Sequence, residues 1–283
     1  MKASKGNVGK HYDRNQIFYN LFWMNRKNLG MHYGFWEKGT KGLHQAIINE
    51  NEAVATALEI RQSDKILDAG CGVGGTSIWL AEQYGARVTG ITLSQKQLEI
   101  AKKNAQKRKV SHLVNFEIRD FCNTNFSNES FDKIFGIEST CYAQDKEKFL
   151  RESYRLLKPG GKLTMADFYI NKPLSKRGER LVSDFCQGWE IPNLPSLDEI
   201  KQQMQKIGFQ NVEILDKTKE IEPSSRRMFF VMGRLVRSGL KLLEFLRLHK
   251  GRGGTKATVS QYYMFREGFA TYNIISAQKI IGD

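Results

Sequence analysis

Cysteine is sparse. The four residues, Cys71, Cys122, Cys141 and Cys186, are scattered over 283 positions. No C-x-x-C and no mixed His/Cys ligand spacing occurs, which argues against a metal site and a disulfide framework and suits a reducing cytoplasm. No apolar run approaches the roughly 20 residues of a membrane span, so a membrane would be met only from its surface. The opening MKASKGNVGK lacks the apolar stretch of a signal peptide. Internal repeats are absent as well.

What remains is a globular composition, 40% apolar and 26% charged, at a length that allows one α/β domain with a cap. The formal net charge is +14. Much of it gathers between Asp216 and Lys256, where Arg226, Arg227, Arg234, Arg237, Lys241, Arg247, Lys250 and Arg252 meet few acids. Such a run is either a solvated helix face or a surface for an anionic small molecule, an anionic lipid or nucleic acid.

Strands are expected at 65–69, 86–91, 113–118, 131–137 and 161–169, with helices at 76–84, 95–108 and 145–157 between them. A helix over 43–60 precedes this alternation, which predicts a parallel sheet covered on both faces. Beyond Phe168 the pattern loosens. Helices are predicted at 174–189, 197–207 and 224–249, strands at 209–215 and 270–277, and a loop at Gly251, Gly253 and Gly254. The aromatic-rich first 42 residues and the insertions at 170–195 and 223–256 are the expected cap over a core at 43–169.

The run KILDAGCGVGGT at 65–76 is the most specific feature. Gly70, Gly72 and Gly75 satisfy G-x-G-x-x-G between a strand and a helix, a weak signal alone. Glycine lets the backbone turn sharply and lie close to a ligand, and the following helix directs free N–H groups into that turn. A dinucleotide site wants an acid about 20 residues on, but the second strand runs into Thr92, Leu93 and Ser94. Asp68 also sets a carboxylate where it would repel a diphosphate and attract an ammonium. S-adenosylmethionine, with an ammonium, a sulfonium and no phosphate, fits both observations.

LDAGCGVGG at 67–75, FDKIFGIEST at 131–140 and LLKPGGKL at 156–163 together resemble the motifs of class I S-adenosylmethionine-dependent methyltransferases. HYDRNQIFYNLF at 11–22, MHYGFW at 31–36 and GITLSQKQ at 90–97 resemble the group containing sterol and tocopherol C-methyltransferases and cyclopropane fatty acid synthases. The resemblance implies a Rossmann-like, doubly wound, mostly parallel seven-stranded sheet with helical cap insertions, spanning 1–283 as one methyltransferase domain. It implies that Asp68, Gly70, Cys71 and Gly72 cradle the methionine part of the cofactor under Tyr33. Thr92, Leu93 and Gln97 would meet its ribose and adenine, and Asp120 and Phe121 the adenine. Thr92 and Gln97 read equally as caps of the helix opening near Ser94. Where cyclopropane synthases carry a glutamate that helps hold a bicarbonate base, this chain has Cys141, which argues against cyclopropanation.

In-line transfer needs an aligned acceptor and exclusion of water. A hydroxyl or amine acceptor needs a base. An alkene attacks directly and leaves a cation that aromatic faces stabilise. Trp23, Trp36, Tyr142, Phe185 and Trp189 are candidate acceptor-facing aromatics, and Arg226 and Arg227 candidate partners for a diphosphate. Glu138, at the end of the fourth strand, is the leading candidate for base or anchor, ahead of Tyr33 and His32. The expected activity is C-methylation of an apolar, isoprenoid-type small molecule, with O- or N-methylation of another small metabolite as the alternative. Nucleic-acid amino-group methyltransferases carry two prolines after the fourth strand where this chain has IEST, so no nucleic-acid partner is expected.

Overall fold

The computed structural model describes residues 29–231 and 253–280. Seven strands form one sheet in the order β3-β2-β1-β4-β5-β7-β6. They are β1 Lys65–Ala69, β2 Arg87–Thr92, β3 Val114–Ile118, β4 Phe131–Ile137, β5 Leu157–Ile170, β6 Phe209–Asp216 and β7 Ala270–Lys279. β1 pairs in parallel with β2 and β4, and β7 runs antiparallel to both β5 and β6. After its first residue β1 is buried throughout, as a central parallel strand covered on both faces requires. Chain order reverses between β1 and β4, and ligands of open α/β sheets sit at the carboxyl ends of the strands at such a switch point.

The helices are α1 Leu43–Leu58, α2 Gly75–Tyr84, α3 Gln95–Lys107, α4 Lys146–Leu156, α5 Lys176–Trp189, α6 Leu197–Ile207, α7 Thr218–Met228 and α8 Gly253–Arg266. Their starts follow local chemistry. Ser94, Asp145 and Ser175 each accept a hydrogen bond from a first-turn backbone N–H, and Ser196 and Glu199 form a reciprocal capping box on α6. Among the described residues no helix is long and apolar enough to cross a membrane.

Three expectations are corrected. The helix predicted to start at Ser224 begins at Thr218 and contains Pro223. Its buried stripe, Ile221, Ser224, Ser225 and Met228, extends upstream of the proline, which removes only one N–H from the ladder. The stretch 232–249 of that expectation lies outside the described residues. Gly253 and Gly254 open a helix rather than a loop, because Ala257, Gln261 and Met264 form a fully buried stripe at helical spacing. Finally, β5 starts at Leu157, paired with Phe131, so that LKPGG enters the sheet instead of turning before it.

Candidate active site

The glycine loop sets the site. Gly70, Gly72 and Gly74 have φ of +105°, +52° and +84°, a region that L side chains rarely adopt. A Cβ on Gly70 would collide with the Cβ of Ser139, so the loop and the end of β4 are in direct backbone approach. Gly74 ends the loop as the N-cap of α2, and no side chain caps that helix. Its first-turn N–H groups are therefore left to a ligand.

Above this loop lies a cavity of about 1330 Å³, open mouth included. One end is polar. Asp68 is buried and accepts from the Ser77 hydroxyl at 2.6 Å; burial pushes its carboxyl up to about 7, against the opposing pull of Ser77 and His32. Thr92 Oγ1 donates to Gln97 Oε1 at 2.9 Å, and Gln97 N–H donates to Ser94 Oγ at 3.1 Å. Ser94 is thus the cap, and Thr92 and Gln97 form a fixed polar pair in the cavity wall.

The other end is aromatic. Phe168 lies edge-on to Tyr33, Phe185 and Tyr272 at centroid distances of 5.5, 5.4 and 5.1 Å. Tyr142, Trp189, Ile191 and Met228 complete this wall. Glu138 stands beside this aromatic wall, half-buried, in the left-handed region at φ +48°. It accepts from the Tyr33 backbone N–H at 2.8 Å. Burial, and then the neighbouring Glu50, raise its carboxyl well above the usual range. Burial likewise drives the Tyr33 phenol and the Cys71 thiol up, so both stay protonated.

The structure brings together in one cavity His32, Tyr33, Asp68, Gly70, Cys71, Gly72, Thr92, Leu93, Gln97, Phe121, Glu138, Tyr142, Phe185 and Trp189. Four other sequence candidates stand elsewhere. Asp120 accepts from the Cys122 backbone N–H at 2.9 Å and shapes its own turn, outside the cavity wall. Trp36 donates from Nε1 to Ser224 Oγ at 2.8 Å, a packing role between the N-terminal segment and α7. Arg226 and Arg227 are exposed and do not line the cavity, and Arg226 lies 3.9 Å from Glu222. Trp23 lies outside the described residues.

Sequence reading missed Arg119, Phe168 and, above all, Glu50 and Tyr272. Glu50 is fully buried on α1 among Ala46, Ile47, Val54 and Leu58, next to the buried Asn51. An acid on the apolar stripe of an amphipathic helix was a legible signal. Tyr272 sits in an apolar strand and carried none.

The residues fit S-adenosylmethionine on structural grounds. Asp68 is a buried acid awaiting a positive partner, the loop allows close approach and α2 offers uncapped N–H groups. The buried Tyr33 hydroxyl finds no hydrogen-bond partner among the described residues.

Comparison with known proteins agrees. Residues 1–220 match the family described as mycolic acid cyclopropane synthetase. Methyltransferase GfsG of Streptomyces halstedii is 30% identical over 220 residues, covering 77% of this chain and 77% of the relative. The chloroplastic tocopherol O-methyltransferase of Arabidopsis thaliana is 25% identical over 98% of this chain and 83% of its own. Among solved structures, geranyl diphosphate C-methyltransferase from Streptomyces coelicolor A3(2), in complex with Mg2+, geranyl-S-thiolodiphosphate and S-adenosyl-L-homocysteine, superposes with a TM-score of 0.76 at 20% identity. That match covers 98% of each chain. Fold and site define an S-adenosylmethionine-dependent methyltransferase. The chain belongs to the mycolic acid cyclopropane synthetase family.

Proposed function

We propose that the protein methylates carbon on an apolar, isoprenoid-type small molecule, through a carbocation. The observation that carries this reading is the aromatic end of the cavity, where Phe168, Tyr33 and Phe185 pack edge to face beside the half-buried carboxyl of Glu138. When bound, S-adenosylmethionine supplies an activated methyl group on a sulfonium. An alkene in the aromatic end needs no base to attack. The cation it becomes is stabilised by aromatic faces, by about 2 kcal/mol or more in a desolvated site. The walls exclude the water that would trap it. Glu138 is positioned as substrate anchor or proton acceptor, and a nearby cation favours its ionised form.

Cyclopropanation, the family's namesake reaction, is not proposed: Cys141 is buried, with its thiol pushed up by burial and by Asp167. The aromatic walls suit the acceptor's apolar body, and Arg226 and Arg227, the expected diphosphate partners, stand outside the cavity.

Transfer to oxygen or nitrogen is the second reading. The name of the Arabidopsis relative favours it, and the same cavity holds His32, the weaker sequence candidate for a base.

The test uses purified protein, 13C-methyl S-adenosylmethionine, and geranyl diphosphate or an organic extract of the source cells, with phosphatase treatment after the reaction. NMR of the product then reports the atom methylated. A carbon-bound methyl in an organic-soluble product is expected. A methyl bound to oxygen or nitrogen overturns the leading reading in favour of the second.

A further inference from the structure

Between β4 and α4 the chain makes a single 3-10 turn, Thr140–Tyr142, and both Cys141 and Tyr142 line the cavity. Two charged side chains hold this turn. Asp167, on β5, accepts at Oδ2 from the Thr140 hydroxyl at 2.7 Å and from the Cys141 backbone N–H at 2.8 Å. Its Oδ1 accepts from the backbone N–H of Phe168 at 3.0 Å. Lys146 donates from Nζ to the carbonyls of Cys141 and Ala143 at 2.7 and 2.6 Å. Donors of the turn thus go to an anion, and its carbonyls to a cation.

Packing and helix chemistry explain neither charge. Asp167 lies in an unbroken buried run of β5, residues 163–169, where burial raises its carboxyl. Burial also lowers the Lys146 ammonium. Lys146 is the first residue of α4, the end of a helix where a cation is unfavourable, and Asp145 already caps that helix. Buried charges cost stability, and their best-attested use is to specify one arrangement over others. The turn has need of that. A second, smaller cavity, lined by Lys146, Asp167 and Tyr169, shares Cys141 and Phe168 with the first. Groups that border empty space gain no packing contacts there to hold them.

We propose that Asp167 and Lys146 are positioning residues, which clamp the 140–143 turn and so set where Tyr142 stands in the acceptor wall. The inference rests on the reading of the aromatic end as the acceptor's place, and it holds whichever atom is methylated. Neither residue lines the main cavity, so both act through the turn. Methyl transfer needs the acceptor in line with the sulfonium, and a wall displaced by about 1 Å can cost about 10²-fold in rate. Asparagine cannot replace Asp167. Its single oxygen can serve the Cys141 N–H or the Phe168 N–H, and the amide nitrogen then faces the other as donor to donor.

Two readouts test this. The first needs no acceptor. The full chain is labelled with 3-fluorotyrosine, and the 19F signals of Tyr142 and of Tyr84, on α2, are assigned by their loss in Tyr142→Phe and Tyr84→Phe. In Asp167→Asn the Tyr142 signal should shift or split while that of Tyr84 stays in place. A Tyr142 signal that moves no more than that of Tyr84 overturns the proposal. The second is a double-mutant cycle, using the acceptor recovered from whichever fraction takes up labelled methyl. Asp167→Asn should lower kcat/KM for the acceptor by about 10- to 100-fold, with cofactor affinity nearly unchanged. In a Tyr142→Ala background it should add little. A further full drop in that background means that Asp167 acts apart from Tyr142 and overturns the proposal. Should Asp167→Asn fail to fold, Lys146→Met makes both comparisons from the carbonyl side of the turn. Unchanged acceptor kinetics in Tyr142→Ala would remove Tyr142 from the acceptor wall and overturn the proposal with it. A methyl found on oxygen would overturn the carbon-methylation reading and leave this inference standing.

Discussion

The backbone N–H of Tyr33 donates to the Glu138 carboxyl at 2.8 Å, across 105 residues of chain. One contact therefore ties the N-terminal segment to the end of β4 and aims the carboxyl into the cavity. Glu138→Gln keeps an acceptor for that N–H, so fold and cofactor affinity should persist. Turnover should fall by about 10²- to 10⁴-fold if the carboxyl handles charge or a proton. Calorimetric titration with S-adenosylmethionine and initial rates separate the two effects, and unchanged turnover removes Glu138 from the chemistry.

Asp68 gives a pH prediction. Its carboxyl is raised from 3.8 to about 7 by burial. An acid with a raised folded-state value costs stability as pH climbs from about 4 to 7, and the full cost, up to about 4 kcal/mol, is present above 7. Asp68→Asn should therefore raise Tm of the free protein at pH 8 and leave it nearly unchanged at pH 4. The ionised form is the one that meets an ammonium, so cofactor affinity should fall up to tenfold per pH unit below 7 and level off above. Thermal scans and titrations between pH 5.5 and 8.5 check both signs.

Gly70 is constrained twice, by φ of +105° and by the Ser139 side chain, which occupies the space a Cβ would need. Gly70→Ala should abolish cofactor binding and destabilise the fold by about 1–3 kcal/mol from backbone strain alone. Ser139→Gly should relieve the contact but not the strain, so the double variant should recover part of the loss. Chemical denaturation of the single and double variants measures it.

Two tryptophans make a paired test. Trp189 closes α5 and lines the cavity, whereas Trp36 spends its Nε1 on Ser224 and lies outside it. Trp189→Ala should raise the acceptor KM with little change in cofactor affinity. Trp36→Phe should cost about 1 kcal/mol of stability, the usual net worth of a hydrogen bond, and leave the acceptor KM alone. Equal effects of the two on KM would remove Trp189 from the acceptor wall.

The parts of the site that were legible in sequence are those with a local signature. KILDAGCGVGGT announces a strand, a left-handed glycine turn and a helix, and the absence of an acid after β2 separates this site from a dinucleotide one. Glu138 could be placed because a strand end is a position the pattern defines. What the sequence did not reveal depends on contacts between distant segments. Tyr272 reaches Glu50 only because β7 inserts antiparallel between β5 and β6 and brings its hydroxyl there. Arg226 and Arg227 illustrate the reverse. Their charge suggested an anion partner, but the apolar stripe of α7 turns toward the core through Ile221 and Met228 and leaves both arginines outside. Helix α8 escaped notice because two glycines mask its first turn, where tertiary burial of Ala257, Gln261 and Met264 outweighs their low propensity.

The central claim is methyl transfer to an apolar small molecule, and the most direct measurement follows the methyl group. Purified protein is incubated with methyl-labelled S-adenosylmethionine and an extract of the source cells supplemented with prenyl diphosphates, then treated with phosphatase, and label is counted in organic, aqueous and RNA fractions. The account predicts enzyme-dependent label in the organic fraction, lost in Asp68→Ala. Label confined to the aqueous or RNA fraction would contradict it.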